Sequence, residues 1–280
     1  MNQVPNIKLN NGTLMPQLGF GVWQVPDAEA ERVVGDALEA GYRSVDTAAV
    51  YGNERGTGRA VNGSGLPREE LFVTTKLWNG PDRRWDRDAV LRAFDDSLGK
   101  LGLDHVDLYL IHWPRPMRDD FLTIWKTFEE IAASGRARAV GVSNFRPADL
   151  ERLGAESSLV PAVNQIELHP LFPQPELRAL HARLGIATEA WSPLGQGKEL
   201  LELPAVAAVA AKHGRSAAQV VLRWHLQLGT IAIPKSVNPS RIRENLDVFG
   251  FELDAEDLAA LDALGADGRR IGPDPAVFDV

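Results

Sequence analysis

The chain has 280 residues, 44% of them hydrophobic and 24% charged, with a formal charge of −8 and no cysteine. That length holds one large domain or two small ones. The absent thiols exclude disulfide frameworks, cysteine–zinc sites, thiolate nucleophiles and iron–sulfur clusters. With 38 acidic against 30 basic residues, a general nucleic-acid backbone binder is disfavoured. Only 7 of the basic residues are lysines, so the position of each is informative. No apolar stretch approaches the roughly 18 residues of a membrane span. The N-terminus, MNQVPNIKLNNG, has no basic run ahead of an apolar one, so no signal peptide and a cytoplasmic location are expected.

In chain order, residues 7–9 and 13–15 flank Asn10-Asn11-Gly12, a hairpin-turn signal. Eight short β-rich runs follow, at 17–21, 43–46, 71–76, 106–112, 137–143, 162–166, 186–191 and 230–233. Amphipathic stretches such as 28–40, 87–101, 122–133 and 217–227 lie between them, with Asp27, Asp86 and Ser216 as helix-start signals. There is no linker and no break in composition. The pattern predicts one α/β domain over residues 1–280, a single (β/α)8 TIM barrel. The N-terminal hairpin is expected to close its bottom, and a C-terminal loop to lie over the active-site face. The rival is an open doubly wound sheet. A nucleotide-binding version asks for Gly-x-Gly-x-x-Gly after the first strand, and Gly19-Phe20-Gly21-Val22-Trp23-Gln24 lacks the third glycine.

Several chemistries are missing their motifs. Gly197-Lys198 is followed by Glu199, so there is no phosphate-binding Gly-x4-Gly-Lys-Ser/Thr loop. Gly141-Val142-Ser143-Asn144-Phe145 lacks the last glycine of a nucleophile elbow. The six histidines include no pair at metal-ligand spacing, and no Tyr-x3-Lys occurs.

In a barrel of this kind, chemistry sits at the C-terminal ends of the strands. The predicted second strand ends at Asp46, with Tyr51 in the next loop; the third ends at Lys76 and the fourth at His112-Trp113. Neighbouring strands would pair Asp46 with Lys76 beneath Tyr51. An ammonium beside a phenol is expected to lower the phenol's pKa, making Tyr51 a proton donor to a developing alkoxide. His112 would orient the carbonyl. With no metal or thiol, the hydride must come from an organic cofactor. Trp191 offers a stacking face, and Ser143, Asn144 and Gln165 offer carboxamide partners. Lys235, Ser236 and Arg241, at the start of what reads as the last helix, suit a 2′-phosphate and so NADPH over NADH. Trp23, Trp78 and Trp113 read either as packing or as an aromatic wall for substrate. The tail Gly268–Pro275, basic at Arg269-Arg270, is expected to fold over the pocket and favour anions.

Three separated motifs carry a family resemblance: Gly41-Tyr42-Arg43-Ser44-Val45-Asp46-Thr47-Ala48, Val140-Gly141-Val142-Ser143-Asn144-Phe145, and Ile233-Pro234-Lys235-Ser236 with Arg241, Glu244 and Asn245. Together they resemble the aldo-keto reductases over essentially the whole chain. The resemblance implies a barrel, NADPH, a catalytic tetrad of Asp46, Tyr51, Lys76 and His112, and aromatic substrate contacts at Trp23, Trp78 and Trp113. It implies cofactor contacts at Gly21, Val22, Ser192, Leu194, Gln196, Val237, Glu244 and Asn245 as well. It also implies a monomer acting on a small carbonyl compound: an aldehyde, a dicarbonyl or a keto-sugar acid. Thr57 departs from it, standing where an aliphatic residue is usual. The alternative function is an NADPH-binding redox-sensing regulator of the same fold with little turnover.

Overall fold

The computed structural model describes residues 4–80 and 84–279. Strands β1 (Asn6–Lys8) and β2 (Leu14–Pro16) pair antiparallel, with Ile7 opposite Met15. Eight further strands form one parallel sheet in chain order: β3 (Phe20–Gly21), β4 (Ser44–Asp46), β5 (Phe72–Leu77), β6 (Val106–Ile111), β7 (Ala137–Ser143), β8 (Val163–Glu167), β9 (Ala187–Trp191) and β10 (Ile231–Ala232). The helices are α1 (Asp27–Ala40), α2 (Glu54–Gly63), α3 (Arg87–Leu101), α4 (Phe121–Ala133), α5 (Pro147–Glu156), α6 (Pro175–Leu184), α7 (Pro204–His213), α8 (Ala217–Gln227), α9 (Pro239–Leu246) and α10 (Ala255–Asp262). Among the described residues none is long and apolar enough to cross a membrane.

The sheet curls until its ends meet. Leu18 bridges Ala232 in parallel, and the Gly19 and Gly21 N–H groups donate to Ala232 O at 2.9 Å and Pro234 O at 3.1 Å. At this seam the regular strands are shorter than the sequence predicts: of 17–21 only Phe20–Gly21 is strand, and of 230–233 only Ile231–Ala232. Isolated bonds replace a full ladder there.

Every residue of β5 and β6 is buried, as in parallel strands covered on both faces. Side chains alternate faces with a period of two. Phe72, Leu108, Leu110, Ala139, Val163 and Ile231 form an apolar cluster with Leu9 and Met15 from the hairpin region. Val73, Tyr109, Val140 and Val142 instead join the core shared with the helices. Following the first set up each strand gives Phe72-Thr74-Lys76, Leu108-Leu110-His112, Val163-Gln165-Glu167 and Ala187-Glu189-Trp191. One face of the curled sheet is therefore apolar at the strands' N-terminal ends and polar at their C-terminal ends.

Two of the three helix-start signals act as caps. Asp86 accepts from the Ala89 N–H at 2.9 Å, and Ser216 forms a reciprocal pair with Gln219. Asp27 does not cap. It is the first residue of α1, and its Oδ1 accepts from the Gly56 N–H at 2.6 Å, tying α1 to α2. The helix after Lys235 is α9, and α10 follows it, so it is not the last.

Candidate active site

Register brings the polar strand ends together. Asp46 sits opposite Thr74, Lys76 opposite Leu110, Ser143 opposite Gln165, and Gln165 opposite Glu189. Lys76, fully buried, donates to Asp46 Oδ1 at 2.6 Å and to Thr47 O at 2.9 Å, and its Nζ lies 5.1 Å from the centre of the Tyr51 ring. Burial alone would push the ammonium's pKa down, but Asp46, Tyr51 and Glu189 outweigh it and hold the pKa up. Tyr51 ends a short 3-10 turn, Ala49–Tyr51. Its loop is fixed from both sides: Thr47 donates to Asn53 Oδ1, Asn53 donates to Val22 O and Val25 O, and Thr75 donates to Glu54.

The lowered phenol pKa expected from the sequence is not what the site produces. Burial raises the Tyr51 pKa, Lys76 opposes that, Asp46 adds to it, and the balance lies above the ordinary value. Tyr51 is therefore a protonated phenol at neutral pH. His112 follows β6, and its ring meets Tyr51 at 5.7 Å and Trp78 at 5.4 Å between centres, edge-on in both cases. Burial, helped by Lys76, holds its pKa well below the usual imidazole value, so the ring is neutral. Its Nδ1 is buried with no partner among the described residues.

Around this group the side chains are bonded to one another. Asn144 donates to His112 O at 3.0 Å and to Ser143 Oγ at 3.1 Å, and its Oδ1 accepts from Trp191 Nε1 at 2.8 Å. Ser143 donates to Gln165 O at 2.8 Å. The carboxamide donors expected of Ser143 and Asn144 are thus spent inside the protein. Gln165 Nε2 donates to Asp46 Oδ2 and to Glu189 Oε2, both at 2.8 Å. Glu189 escaped the sequence reading, although a period of two back from Trp191 marks it as sharing that residue's face.

A second group gathers beside Gly21 and Val22. The Val22 N–H donates to Asp46 O at 3.1 Å, and a Cβ on Gly21 would stand 3.0 Å from Ile233 O. Lys235, Ser236 and Val237 lead into α9, which carries Arg241, Glu244 and the buried Asn245. Lys235 and Arg241 are exposed, and neither makes an ion pair with a described residue. Ser192, Leu194 and Gln196 lie in the loop after β9. Asn144, Ser192 and Gln196 all hold left-handed backbone, with φ of 65°, 50° and 60°, conformations that recur at ligand sites.

Of the three tryptophans, Trp78 and Trp113 adjoin His112, whereas Trp23 is 45% exposed and makes no ring contact with them. The tail meets the same wall. Phe278 lies 4.2 Å from Trp113 and 6.4 Å from Trp78 between ring centres, and Asp279 pairs with Arg115 and Arg118. Further back, Glu167 accepts from the N–H groups of Ile271 and Gly272. The basic residues expected to draw anions are engaged elsewhere: Arg269 pairs with Glu199, and Arg270 lies over the Phe172 ring.

Eight parallel strands with their polar side chains gathered at the C-terminal ends define an α/β enzyme architecture. The chain belongs to the Aldo/keto reductase family, whose sequence profile matches residues 9–266, and is an oxidoreductase. It is 56% identical to an aldo-keto reductase of Mycolicibacterium smegmatis over 98% of both chains. It is 50% identical to the methylglyoxal reductase DkgA of Yersinia pestis over 99% of both. The crystal structure of a Gox0644 mutant in complex with NADPH superposes with a TM-score of 0.92 at 46% identity, covering 100% of both chains.

Proposed function

We propose that the protein is an NADPH-dependent carbonyl reductase acting on aldehydes, dicarbonyls or keto-sugar acids, with Tyr51 as the general acid. The observation that carries this is the buried Lys76–Asp46 pair placed against Tyr51 and beside neutral His112. A protonated phenol donates to an alkoxide oxygen as it forms. The adjacent ammonium stabilises the phenolate left behind, and Asp46 keeps Lys76 charged. Neutral His112 can direct an N–H at the same oxygen, and Trp78 and Trp113 wall the substrate against it, with Trp23 at the exposed rim.

The residues fit the cofactor. Lys235 and Arg241 have no acidic partner among the described residues and suit a 2′-phosphate. Ser236, Val237, Glu244 and Asn245 extend that surface, with Gly21 and Val22 at the end of β3 and Ser192, Leu194 and Gln196 in the loop after β9 beside it. Trp191 offers a face for the nicotinamide, while Ser143 and Asn144 act by holding Trp191 and Gln165 in place. When bound, NADPH supplies the hydride.

The same reading takes residues 1–280 as one domain and the curled sheet as a closed (β/α)8 barrel. Asn10 and Asn11 bond to Pro161 O and Arg138 O, which supports the hairpin as its floor. Phe278 on the tryptophans supports the tail as a cover over the mouth. A cytoplasmic monomer accords with the acidic, cysteine-free composition and the family resemblance.

The test is Tyr51→Phe, which removes the proton donor and keeps the ring. With methylglyoxal and 2,5-diketogluconate as substrates, kcat should fall at least ~10²-fold while NADPH affinity stays nearly constant. Near-normal turnover would remove Tyr51 from the role. Tight NADPH binding by the unaltered protein with no turnover of any carbonyl would favour the regulatory alternative.

A further inference from the structure

Glu189 is fully buried on β9, two residues before Trp191 and on the same face. Its Oε2 accepts from Gln165, and its Oε1 has no partner among the described residues. An amide nitrogen has two N–H groups and its oxygen has none to give. Gln165 commits both N–H groups to carboxylates, one on Asp46 and one on Glu189. Turning the amide over would set its oxygen against the Asp46 carboxylate, and against Glu189 as well whenever that group is ionised. Gln165 is thus locked with its Oε1 as the group left to offer.

We propose that Glu189 is a positioning residue for the nicotinamide: it fixes Gln165 as an acceptor for the carboxamide N–H2 and, when ionised, favours the oxidised over the reduced cofactor. This rests on the reading of the site as an NADPH site. The reduced ring is neutral and the oxidised ring cationic, so a negative charge one layer below Trp191 favours the oxidised form. Burial, then the neighbouring Asp46 charge, pushes the Glu189 pKa up to about 8, while Gln165 and Lys76 act the other way. The other titratable group facing it is Tyr51, whose pKa is raised. Glu189 is accordingly neutral at pH 7 and gains its charge as the pH passes 8. One such charge near a cation changes relative affinity by about tenfold at an intermediate dielectric.

The experiment measures Kd for NADP+ and for NADPH by quenching of tryptophan fluorescence between pH 6.5 and 9.5. It uses the unaltered protein, Glu189→Gln and Glu189→Ala, with circular dichroism to check folding. Ionisation of the 2′-phosphate is common to both cofactor forms and cancels in the ratio. In the unaltered protein, NADP+ should tighten relative to NADPH by about five- to tenfold across pH 8. Glu189→Gln keeps an acceptor for Gln165 but cannot ionise, so its ratio should be flat with pH. Glu189→Ala frees the amide and should bind both forms several-fold more weakly at every pH. A pH-dependent ratio surviving in Glu189→Gln, or unchanged affinities in a folded Glu189→Ala, overturns the proposal. A flat ratio in the unaltered protein with tight binding of both forms also overturns it, leaving the function intact. Failure to bind either form instead sinks the NADPH reading itself.

Discussion

Thr57 is wholly buried on α2, and its hydroxyl has no partner among the described residues. An unsatisfied buried polar group costs about 1–3 kcal/mol, and an apolar group of the same shape avoids that cost. Thr57→Val should therefore stabilise the protein by about 1 kcal/mol and raise Tm by about 2–4 °C in scanning calorimetry. A lowered Tm would mean that the hydroxyl is satisfied after all. Tyr51 carries a related lesson. Adjacency in sequence-predicted strands was enough to place an ammonium beside the phenol and to give the sign of its effect. Burial, which outweighs that effect, depends on everything packed around the ring and could not be read locally.

Between elements, the clearest electrostatic clamp joins α7 to α10. Lys212 and His213, in the last turn of α7, bond to Asp257 at 2.7 Å each, and Lys212 also reaches Asp254, the N-cap of α10. Burial pushes the Asp257 pKa up, but the donors from Lys212, His213 and the Asp254 N–H prevail and hold it at about 2. A carboxyl depressed on folding stabilises the native state above its unfolded value near ~4, and that contribution is lost as the pH falls towards 2. Asp257→Asn should therefore melt several degrees lower than the unaltered protein at pH 7. The deficit should narrow steadily in thermal melts taken between about pH 4.5 and the lowest pH at which both remain folded. A deficit independent of pH would assign the loss to packing. Most elements were legible because period-two runs and helix-start residues are local signals. The exceptions were β3 and β10, where the sheet's two ends meet and the ladder thins, α10, which follows the helix expected to be last, and Asp27, whose side chain serves a partner helix instead of its own.

On the scale of the whole molecule, the tail is held over the strand ends by Glu167, by the Trp78–Trp113 wall, by Arg115 with Arg118, and by the contacts of Arg269 and Arg270 with Glu199, Leu171 and Phe172. A Cβ on Gly272 would come within 2.3 Å of Trp191, so the tail's path there requires glycine. Both oxygens of Glu167 accept from tail N–H groups, and an amide in its place offers one acceptor. Glu167→Gln should make residues 268–279 about tenfold more susceptible to limited proteolysis, read by mass spectrometry, with a much smaller change in the main thermal transition. Unchanged cleavage would show that the tail's other contacts hold it without Glu167.

The sequence alone determined the order of the strands and which residues stand at their C-terminal ends. It also placed two of the seven lysines, Lys76 and Lys235, at or just beyond the ends of expected strands. All of these follow from local periodicity and from the adjacency of consecutive strands. The tertiary structure decided the charge states and the spending of donors. Gln165 meets Asp46 across 119 residues of chain, and Glu167 meets Ile271 across 104. Whether a buried carboxyl such as Glu189 carries a proton, or an amide such as Asn144 keeps a donor free, depends on contacts between residues that no local pattern links.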